Sequence, residues 1–228
     1  MNLNEVVPWG RSYEEYVKMF NLASQELNGK ILDCAGGPAS FNAEATQKGY
    51  RIISCDPLYR FTSEEIASRI DETYETIVDG ARANQDRYVW KEIGSPEYMG
   101  EIRMAAMRRF LEDFPLGLEK GRYRPDELPS LGFNAGEFDL ALSSHFLFTY
   151  SEQFSADFHI AAIEEMCRVA NEARVFPLLN YDGEPSQLLH PVVDELRAQG
   201  HYVETQRVLY EFQRGGNRLL LVRGLHRD

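Results

Sequence analysis

The stretch KILDCAGGPASFNAEATQKGYRIISCDPLY, residues 30 to 59, decides the fold that the rest of the chain completes. Its order predicts a buried strand, a tight Gly-Gly-Pro turn at residues 36 to 38, a short helix, and a second strand that ends at Asp56. In a parallel strand–helix–strand unit, the glycine turn and the carboxylate after the second strand lie at the same edge of the sheet. The sequence therefore predicts a nucleotide-like ligand at this edge.

The composition is that of an ordinary globular protein, with 43% hydrophobic and 26% charged residues among 228. A net charge of −12 argues against non-specific binding to nucleic acid, because phosphate backbones attract a basic face. No apolar run is long enough to span a bilayer, and the first twelve residues lack the basic and apolar regions of a signal peptide. We therefore expect a cytoplasmic protein without a membrane partner.

The cysteines and histidines predict no metal site. Cys34, Cys55 and Cys167 lack the paired spacing of a zinc site or a redox pair, and the histidines show no metal-ligand spacing. Buried thiols of this kind are typical small apolar fillers in a reducing compartment.

The rest of the chain continues the alternation of strands and helices, except in one long helical segment. A helix is predicted at residues 12 to 27, and residues 62 to 120 show only helical patterns, which is more than one crossover helix requires. We interpret this segment as a crossover helix plus an inserted helical cap. Further strands are predicted at residues 122 to 124, 138 to 144 and 173 to 179, further helices at 151 to 170 and 186 to 199, and a terminal hairpin at 202 to 212 and 218 to 222.

This order of elements, together with the opening motif, resembles the class I S-adenosylmethionine-dependent methyltransferases. The resemblance covers residues 30 to 56 and 122 to 222, and it implies one α/β domain over residues 1 to 228. Its sheet would be doubly wound, Rossmann-like and seven-stranded, with a C-terminal antiparallel hairpin. The helical cap of residues 62 to 120 would be inserted between strands 2 and 3.

The first motif of that family has an acidic residue at the end of strand 1, followed by alternating glycines. Asp33 fills the acidic position, and Gly36 and Gly37 lie in the turn. Ala35 and Ala39 stand where many members have glycine. Because a Cβ restricts positive φ, we expect the turn to keep ordinary backbone dihedrals if the cofactor is to bind normally.

Asp56 matches the acidic residue that accepts hydrogen bonds from the ribose hydroxyls in that family. It lies 19 residues after Gly37, which is close to the spacing expected for dinucleotide-binding folds. A carboxylate only accepts hydrogen bonds, so it suits a vicinal diol independently of the resemblance. The adjacent Pro57 and Leu58 are included in the predicted cofactor site. Tyr59 and Phe61 have two open interpretations, stacking on the adenine or packing in the core.

The resemblance also assigns roles near strands 3 and 4. Asp126 or Glu127 would face the adenine amino group, and the register leans towards Asp126. Ser143 and Ser144 would face the methionine part of the cofactor. His145 is the candidate general base, because an imidazole suits proton removal from an acceptor near neutral pH. A structural role for this histidine remains an open alternative, since methyl transfer from a sulfonium often needs no strong base.

Basic residues outside these motifs have two interpretations. Arg11 could pair with the cofactor carboxylate, or its segment could simply pack on the sheet. Arg103, Arg108 and Arg109 are expected on a solvated helix face rather than at an anion site.

The predicted function is S-adenosylmethionine-dependent methyl transfer to a small-molecule acceptor that enters under the cap. Ser-Ser-His-Phe stands after strand 4 in place of Asn-Pro-Pro-Tyr, which argues against methylation of nucleic-acid amines. A non-catalytic relative that binds the cofactor or serves as an interaction module is one alternative, because alanines replace motif glycines. A nicotinamide dehydrogenase is another, although the turn lacks the sixth position of G-x-G-x-x-G. The sequence leaves the acceptor and the oligomeric state open.

Overall fold

A mixed seven-stranded sheet forms the centre of the molecule, which a computed structural model describes over residues 7–224. The strand order is β3-β2-β1-β4-β5-β7-β6. Every neighbouring pair from β3 to β5 is parallel, and β7 runs antiparallel to both β5 and β6. The strands are β1 (Lys30–Cys34), β2 (Arg51–Cys55), β3 (Tyr123–Arg124), β4 (Phe138–Ser144), β5 (Ala170–Phe176), β6 (Tyr202–Arg207) and β7 (Arg218–Arg223).

Helices connect the strands and cover both faces of the sheet. Local sequence explains their starts: Thr62 and Glu65 form a capping box at α4, and Ser95 caps α5, which has Pro96 in its first turn. The helices are α1 (Tyr13–Met19), α2 (Ser24–Leu27), α3 (Phe41–Gln47), α4 (Ser63–Ala83), α5 (Pro96–Glu119), α6 (Ala156–Val169) and α7 (Leu189–Ala198). The predicted α/β architecture with its terminal hairpin is therefore confirmed.

Two apolar layers enclose the sheet because alternate side chains of each strand point to opposite faces. One layer contains Leu32 and Ala141 of the sheet with Ile163 of α6 and Val192 of α7. The other contains neighbouring strand residues, such as Ile31, and packs them against the aromatic side chains of α1 and α3.

Both long helices between β2 and β3 belong to a third apolar cluster. Phe110 and Phe114 of α5 pack against Tyr123 of β3 and Tyr59, which follows β2. Ile66 of α4 belongs to the same cluster. Helix α5 also packs against α3, so it occupies the crossover position, and α4 lies against α5.

Several boundaries differ from the sequence prediction. The predicted helix at residues 12 to 27 is broken, because α1 ends before Phe20 and Asn21 has a left-handed φ of 48°. Strand β5 begins at Ala170, three residues earlier than predicted, where α6 ends without a loop. Strand β6 ends at Arg207 rather than at residue 212, because the following backbone turns away and Phe212 accepts a hydrogen bond from Val89.

Within residues 7–224, none of the helices combines the length and the apolar character that crossing a bilayer requires. Residues 1–6, the first half of the twelve-residue segment considered above as a signal peptide, lie outside the described residues.

We predict that Phe110→Ala will lower the free energy of unfolding by about 3–5 kcal/mol, because a fully buried ring leaves a cavity between α5 and β3. Urea denaturation followed by circular dichroism measures the change. Leu209→Ala is the matched control, because Leu209 is 92% exposed and should change stability by less than about 0.5 kcal/mol. Equal effects of the two substitutions would contradict this packing.

Candidate functional site

A cavity of about 950 Å³ opens at the carboxyl ends of the parallel strands. Its walls come from the turn after β1, the segments after β2 to β5, helix α4 and the chain that precedes α1. Most of the predicted site residues line it: Arg11, Ala35, Gly36, Gly37, Asp56, Pro57, Leu58, Asp126, Glu127, Ser144 and His145. The structure thus brings together side chains and backbone that are separated by more than a hundred positions in sequence.

The turn after β1 is held through both backbone polar groups of Gly37. Its N–H donates to Asp56 Oδ2 at 2.9 Å, and its carbonyl oxygen accepts from the Tyr59 hydroxyl at 2.8 Å. The other oxygen of Asp56 accepts from Leu58 N at 2.8 Å. Gly37 has a φ of +52°, and a Cβ there would meet only Asp56 Oδ2, at 4.0 Å. The glycine therefore leaves open space directly beside the Asp56 carboxylate.

Ala35 contradicts the expectation that the turn keeps ordinary dihedrals. Its φ is +54°, in the left-handed region that costs a residue with a Cβ about 1–2 kcal/mol. Ala39, the other alanine at a motif glycine position, is not in this region. The turn therefore has the backbone of a glycine-rich loop, and the energetic cost is concentrated at Ala35.

Asp33 lies beneath the turn, 1% exposed, and is not part of the cavity wall. Its two oxygens accept from the hydroxyls of Tyr16 at 3.1 Å and Ser54 at 3.0 Å. Burial raises the pKa of this carboxyl to about 7. A Cβ on Gly36 would lie 2.3 Å from Asp33 Oδ2, so the close contact between turn and carboxylate requires glycine at position 36.

Ser143 and Ser144 were both predicted to contact the cofactor, and the structure separates them. Successive side chains of a strand point to opposite faces, and only Ser144 lines the cavity. Ser143 is fully buried, and its Oγ has no hydrogen-bond partner among the described residues. The structure therefore corrects the prediction for Ser143: this side chain lies within the sheet layer.

Asp126 and Glu127 line the cavity after β3 in different ways. Asp126 accepts hydrogen bonds from Arg124 Nε at 2.9 Å and from Gly132 N at 2.8 Å. Glu127 is exposed, and it lies 3.5 Å from the guanidinium of Arg60. The Asp126 carboxylate is thus fixed by its neighbours, whereas the Glu127 side chain extends into solvent.

Two arginines, Arg11 and Arg103, contribute positive charge to the site. Arg103 is 1% exposed and forms a buried ion pair with Glu15, whose second oxygen accepts from Tyr210 at 2.9 Å. Although burial opposes its ionisation, the two arginines lower the pKa of Glu15 to about 2. Arg11 lines the cavity, donates to Trp9 O at 3.2 Å, and has a buried Nε without a hydrogen-bond partner among the described residues.

The prediction that Arg103 lies on a solvated face is wrong. Arg103 follows Met99 by four residues and precedes Met107 and Phe110 by four and seven, so it lies on the buried stripe of α5. That spacing is visible in the sequence and could have identified this residue. Its partner Glu15 could not be identified in this way, because it lies on α1, 88 positions away.

His145 lines the cavity immediately after β4, with a left-handed φ of +52°. Its Nδ1 lies 2.9 Å from Ser144 Oγ, and its backbone N–H donates to Phe176 O at 2.6 Å. Burial, together with the charges of Arg11 and Arg103, places the pKa of this imidazole well below its usual range. The neutral form of this side chain is therefore favoured.

No group of His, Cys, Asp and Glu side chains within residues 7–224 has an arrangement that could hold a metal ion. The remaining cavity wall is rich in aromatic side chains: Trp9, Phe61, Tyr88, Phe146, Tyr150, Phe154, Phe158, Tyr181 and Phe212. Of the two residues considered for stacking, Phe61 is 53% exposed at the cavity, whereas Tyr59 is buried in the core.

Sequence comparison finds one clear relative. The uncharacterised protein MJ0045 of Methanocaldococcus jannaschii is 34% identical to this chain over 224 residues, covering 98% of each protein. No family model matches the chain.

Solved structures with the same architecture are remote in sequence. The methyltransferase domain of bacterial CtHen1-CN superimposes with a TM-score of 0.50 at 10% identity, covering 92% of this chain and 98% of that domain. Magnesium protoporphyrin IX methyltransferase of Synechocystis PCC 6803, crystallised with bound SAM, has a TM-score of 0.46 at 15% identity and covers 92% of this chain and 76% of that chain. At 10% identity, the similarity to the CtHen1-CN domain supports the fold alone.

Ala35→Gly should raise the free energy of unfolding by about 1 kcal/mol, because glycine adopts the left-handed backbone without the Cβ penalty. Ala39→Gly is the matched control and should lower stability, because this residue is not in the left-handed region and glycine only adds unfolded-state entropy. Urea denaturation compares the two variants. A loss of stability in Ala35→Gly would contradict the strained turn.

Asp33 makes a predictable contribution to the pH dependence of stability. Its pKa is about 7 in the folded chain and near 3.8 when unfolded, so the unfolded state loses the proton first as pH rises. As the pH rises from the unfolded to the folded pKa of Asp33, this group lowers the free energy of unfolding by about 1.4 kcal/mol per pH unit. Asp33→Asn should remove this slope in urea denaturation at a series of pH values. Asp194→Asn, at an exposed position, should retain it, and identical slopes in both variants would refute the assignment.

Proposed function

The chain belongs to the same family as MJ0045 of Methanocaldococcus jannaschii and has the class I methyltransferase fold; from this premise we propose that it binds S-adenosylmethionine and methylates a small molecule. The single observation that carries the proposal is the convergence of complementary groups at one cavity. Gly37, Asp56 and Arg11 all line it, and among the described residues the buried Nε of Arg11 has no hydrogen-bond partner.

Each of these groups complements a different part of the cofactor. Asp56 presents acceptor oxygens that already fix the turn through Gly37 and Leu58, which suits the two hydroxyls of a ribose. Arg11 suits a carboxylate, because a buried guanidinium N–H without a partner lacks the hydrogen bond that an anion would supply. Burial and the neighbouring Arg103 lower the pKa of Arg11, so an anion there would relieve an unfavourable charge.

Asp33 has a structural role in this proposal, because it supports the turn after β1. It is buried against Gly36 and bonded to Tyr16 and Ser54, so it supports the turn without touching the cofactor. Asp126, held by Arg124 and Gly132, is the better-ordered acceptor for an adenine amino group, and Glu127 remains exposed beside it.

When bound, S-adenosylmethionine supplies an electrophilic methyl group on a sulfonium. The chain itself orients the two reactants, excludes water and provides a side chain that accepts the proton of the methyl acceptor. Helix α4 and Trp9 form walls of the cavity, which supports a covering role for this part of the 62 to 120 segment. His145 lines the cavity with its Nδ1 2.9 Å from Ser144 Oγ, so its imidazole is placed to take a proton from an acceptor hydroxyl or amine; burial and the two arginines lower its pKa and make it a weak base.

The nicotinamide dehydrogenase alternative gains no support from the topology. Strand β7 is antiparallel and inserted between β5 and β6, whereas the dinucleotide-binding sheet is open and mostly parallel with consecutive outer strands. The non-catalytic alternative would share the cofactor site, so turnover rather than binding separates it from an enzyme.

Arg11→Met should weaken binding of S-adenosylhomocysteine by roughly 10–100-fold, because a hydrogen bond to a charged group contributes about 1.5–3 kcal/mol. Isothermal titration calorimetry measures the affinity, and thermal denaturation should show unchanged or higher stability, because a strained buried charge is removed. Arg108→Met, an exposed position on α5, is the matched control with wild-type affinity. Absence of heat with the wild-type protein at concentrations well above micromolar would refute the proposed function.

A further inference from the structure

The cavity has room for more than the cofactor. Its volume of about 950 Å³ lies near the upper end of the range of about 300–1,000 Å³ for small-molecule pockets. The residues suited to adenosine follow β2 and β3, on one side of β1 in the sheet. A different wall, which includes Tyr150, Tyr181, Tyr88 and Phe212, comes from the segments after β4, β5 and β6 and from the loop between α4 and α5. We call this part the acceptor compartment.

Aromatic rings dominate the acceptor compartment. Tyr150 and Tyr181 have ring centroids 6.3 Å apart, and Tyr88 stacks on Phe212 at 4.8 Å with an interplanar angle of 29°. Burial, followed by the influence of Tyr150 and Tyr88, raises the pKa of Tyr181 to about 12, so this hydroxyl stays protonated at physiological pH. Such rings bind planar aromatic molecules by offset stacking or edge contacts.

Two polar groups beside these rings are available to a ligand hydroxyl. Thr149 is 8% exposed and lines the cavity, and its Oγ1 is buried without a hydrogen-bond partner among the described residues. Buried hydroxyls are nearly always hydrogen-bonded, so this atom has unused hydrogen-bonding capacity that a ligand hydroxyl could satisfy. His145, four residues earlier, contributes a neutral imidazole to the same cavity.

The charges of the compartment disfavour a cationic acceptor. Arg11 interacts electrostatically with both Tyr88 and Tyr150, so its guanidinium lies close to the aromatic wall. Asp182, the acidic residue next to Tyr181, is paired with Arg87 at 3.0 Å. An ammonium group would therefore meet positive charge without an unpaired carboxylate to balance it.

We propose that the acceptor compartment binds a planar aromatic alcohol, which the protein methylates on oxygen; this inference rests on the proposed function. A lone pair of the acceptor oxygen forms the new bond to the methyl carbon, and the bond between that carbon and sulfur breaks with its electron pair left on sulfur. The acceptor proton passes to the neutral imidazole of His145. Thr149 Oγ1 hydrogen-bonds to the reacting oxygen, and Tyr150 and Tyr181 orient the ring.

The test measures binding of 4-ethylphenol to the complex of the full chain with S-adenosylhomocysteine, by calorimetry. The saturated 4-ethylcyclohexanol has a hydroxyl but no planar ring, and it should bind at least roughly fivefold more weakly, as should the cationic 4-ethylbenzylamine. Thr149→Val preserves the shape and removes the hydroxyl, and it should weaken 4-ethylphenol binding by roughly two- to tenfold without loss of stability. Tyr181→Leu should reduce the preference for the aromatic ring, whereas Tyr202→Leu, at an exposed position on β6, should not.

The outcomes separate the two proposals. Binding of S-adenosylhomocysteine without binding of 4-ethylphenol would overturn the acceptor inference and leave the proposed function standing. Tighter binding of 4-ethylbenzylamine, or unchanged 4-ethylphenol affinity in both Thr149→Val and Tyr181→Leu, would also overturn it. Absence of S-adenosylhomocysteine binding to the wild-type protein would overturn both.

Discussion

The carboxylate of Asp56 holds together the two segments on which the site depends. One oxygen accepts from Gly37 in the turn after β1, and the other accepts from Leu58 in the segment after β2. The turn is closed from the other side by the hydroxyl of Tyr59, whose ring is buried against Phe110 of α5. Through this chain of contacts, the packing of a long helix fixes the backbone that faces the ligand. A parallel sheet makes this possible, because the carboxyl ends of β1 and β2 lie side by side.

Unfavourable features are concentrated at this edge of the sheet. Ala35 and His145 have left-handed φ values, Asp33 is buried with a raised pKa, and Arg11 has a buried donor with no partner in residues 7–224. Strained backbone and buried polar groups persist only where the surrounding structure compensates for them, and they cluster at functional sites. The three apolar clusters of the core provide that compensation here. The same edge therefore combines several unfavourable features with the candidate binding site.

The charges that would complement a ligand carboxylate come from residues that are remote in sequence. The ion pair between Glu15 and Arg103 joins α1 to α5 and is completed by Tyr210 from the segment after β6. Arg11 lines the cavity near this ion pair, and its buried Nε has no hydrogen-bond partner among the described residues. A buried arginine beside another arginine is costly unless an anion is supplied, and a ligand carboxylate would serve that purpose. The aromatic wall of the acceptor compartment is assembled in the same way, from segments after β4, β5 and β6 and from the loop between α4 and α5.

The sequence by itself determined the order of strands and helices, the glycine turn, the position of Asp56 and the terminal hairpin, because these depend on local periodicity and turn chemistry. It also placed Arg11 and His145 among the candidates, from their proximity to predicted strand ends and to the first motif. Only the tertiary structure decided that Asp33 and Ser143 lie beneath the surface of the site, since burial depends on which side of a strand another element covers. It likewise decided that Arg103 pairs with Glu15 and that Thr149 lines the cavity, because such placements bring together residues whose separation along the chain has no local pattern.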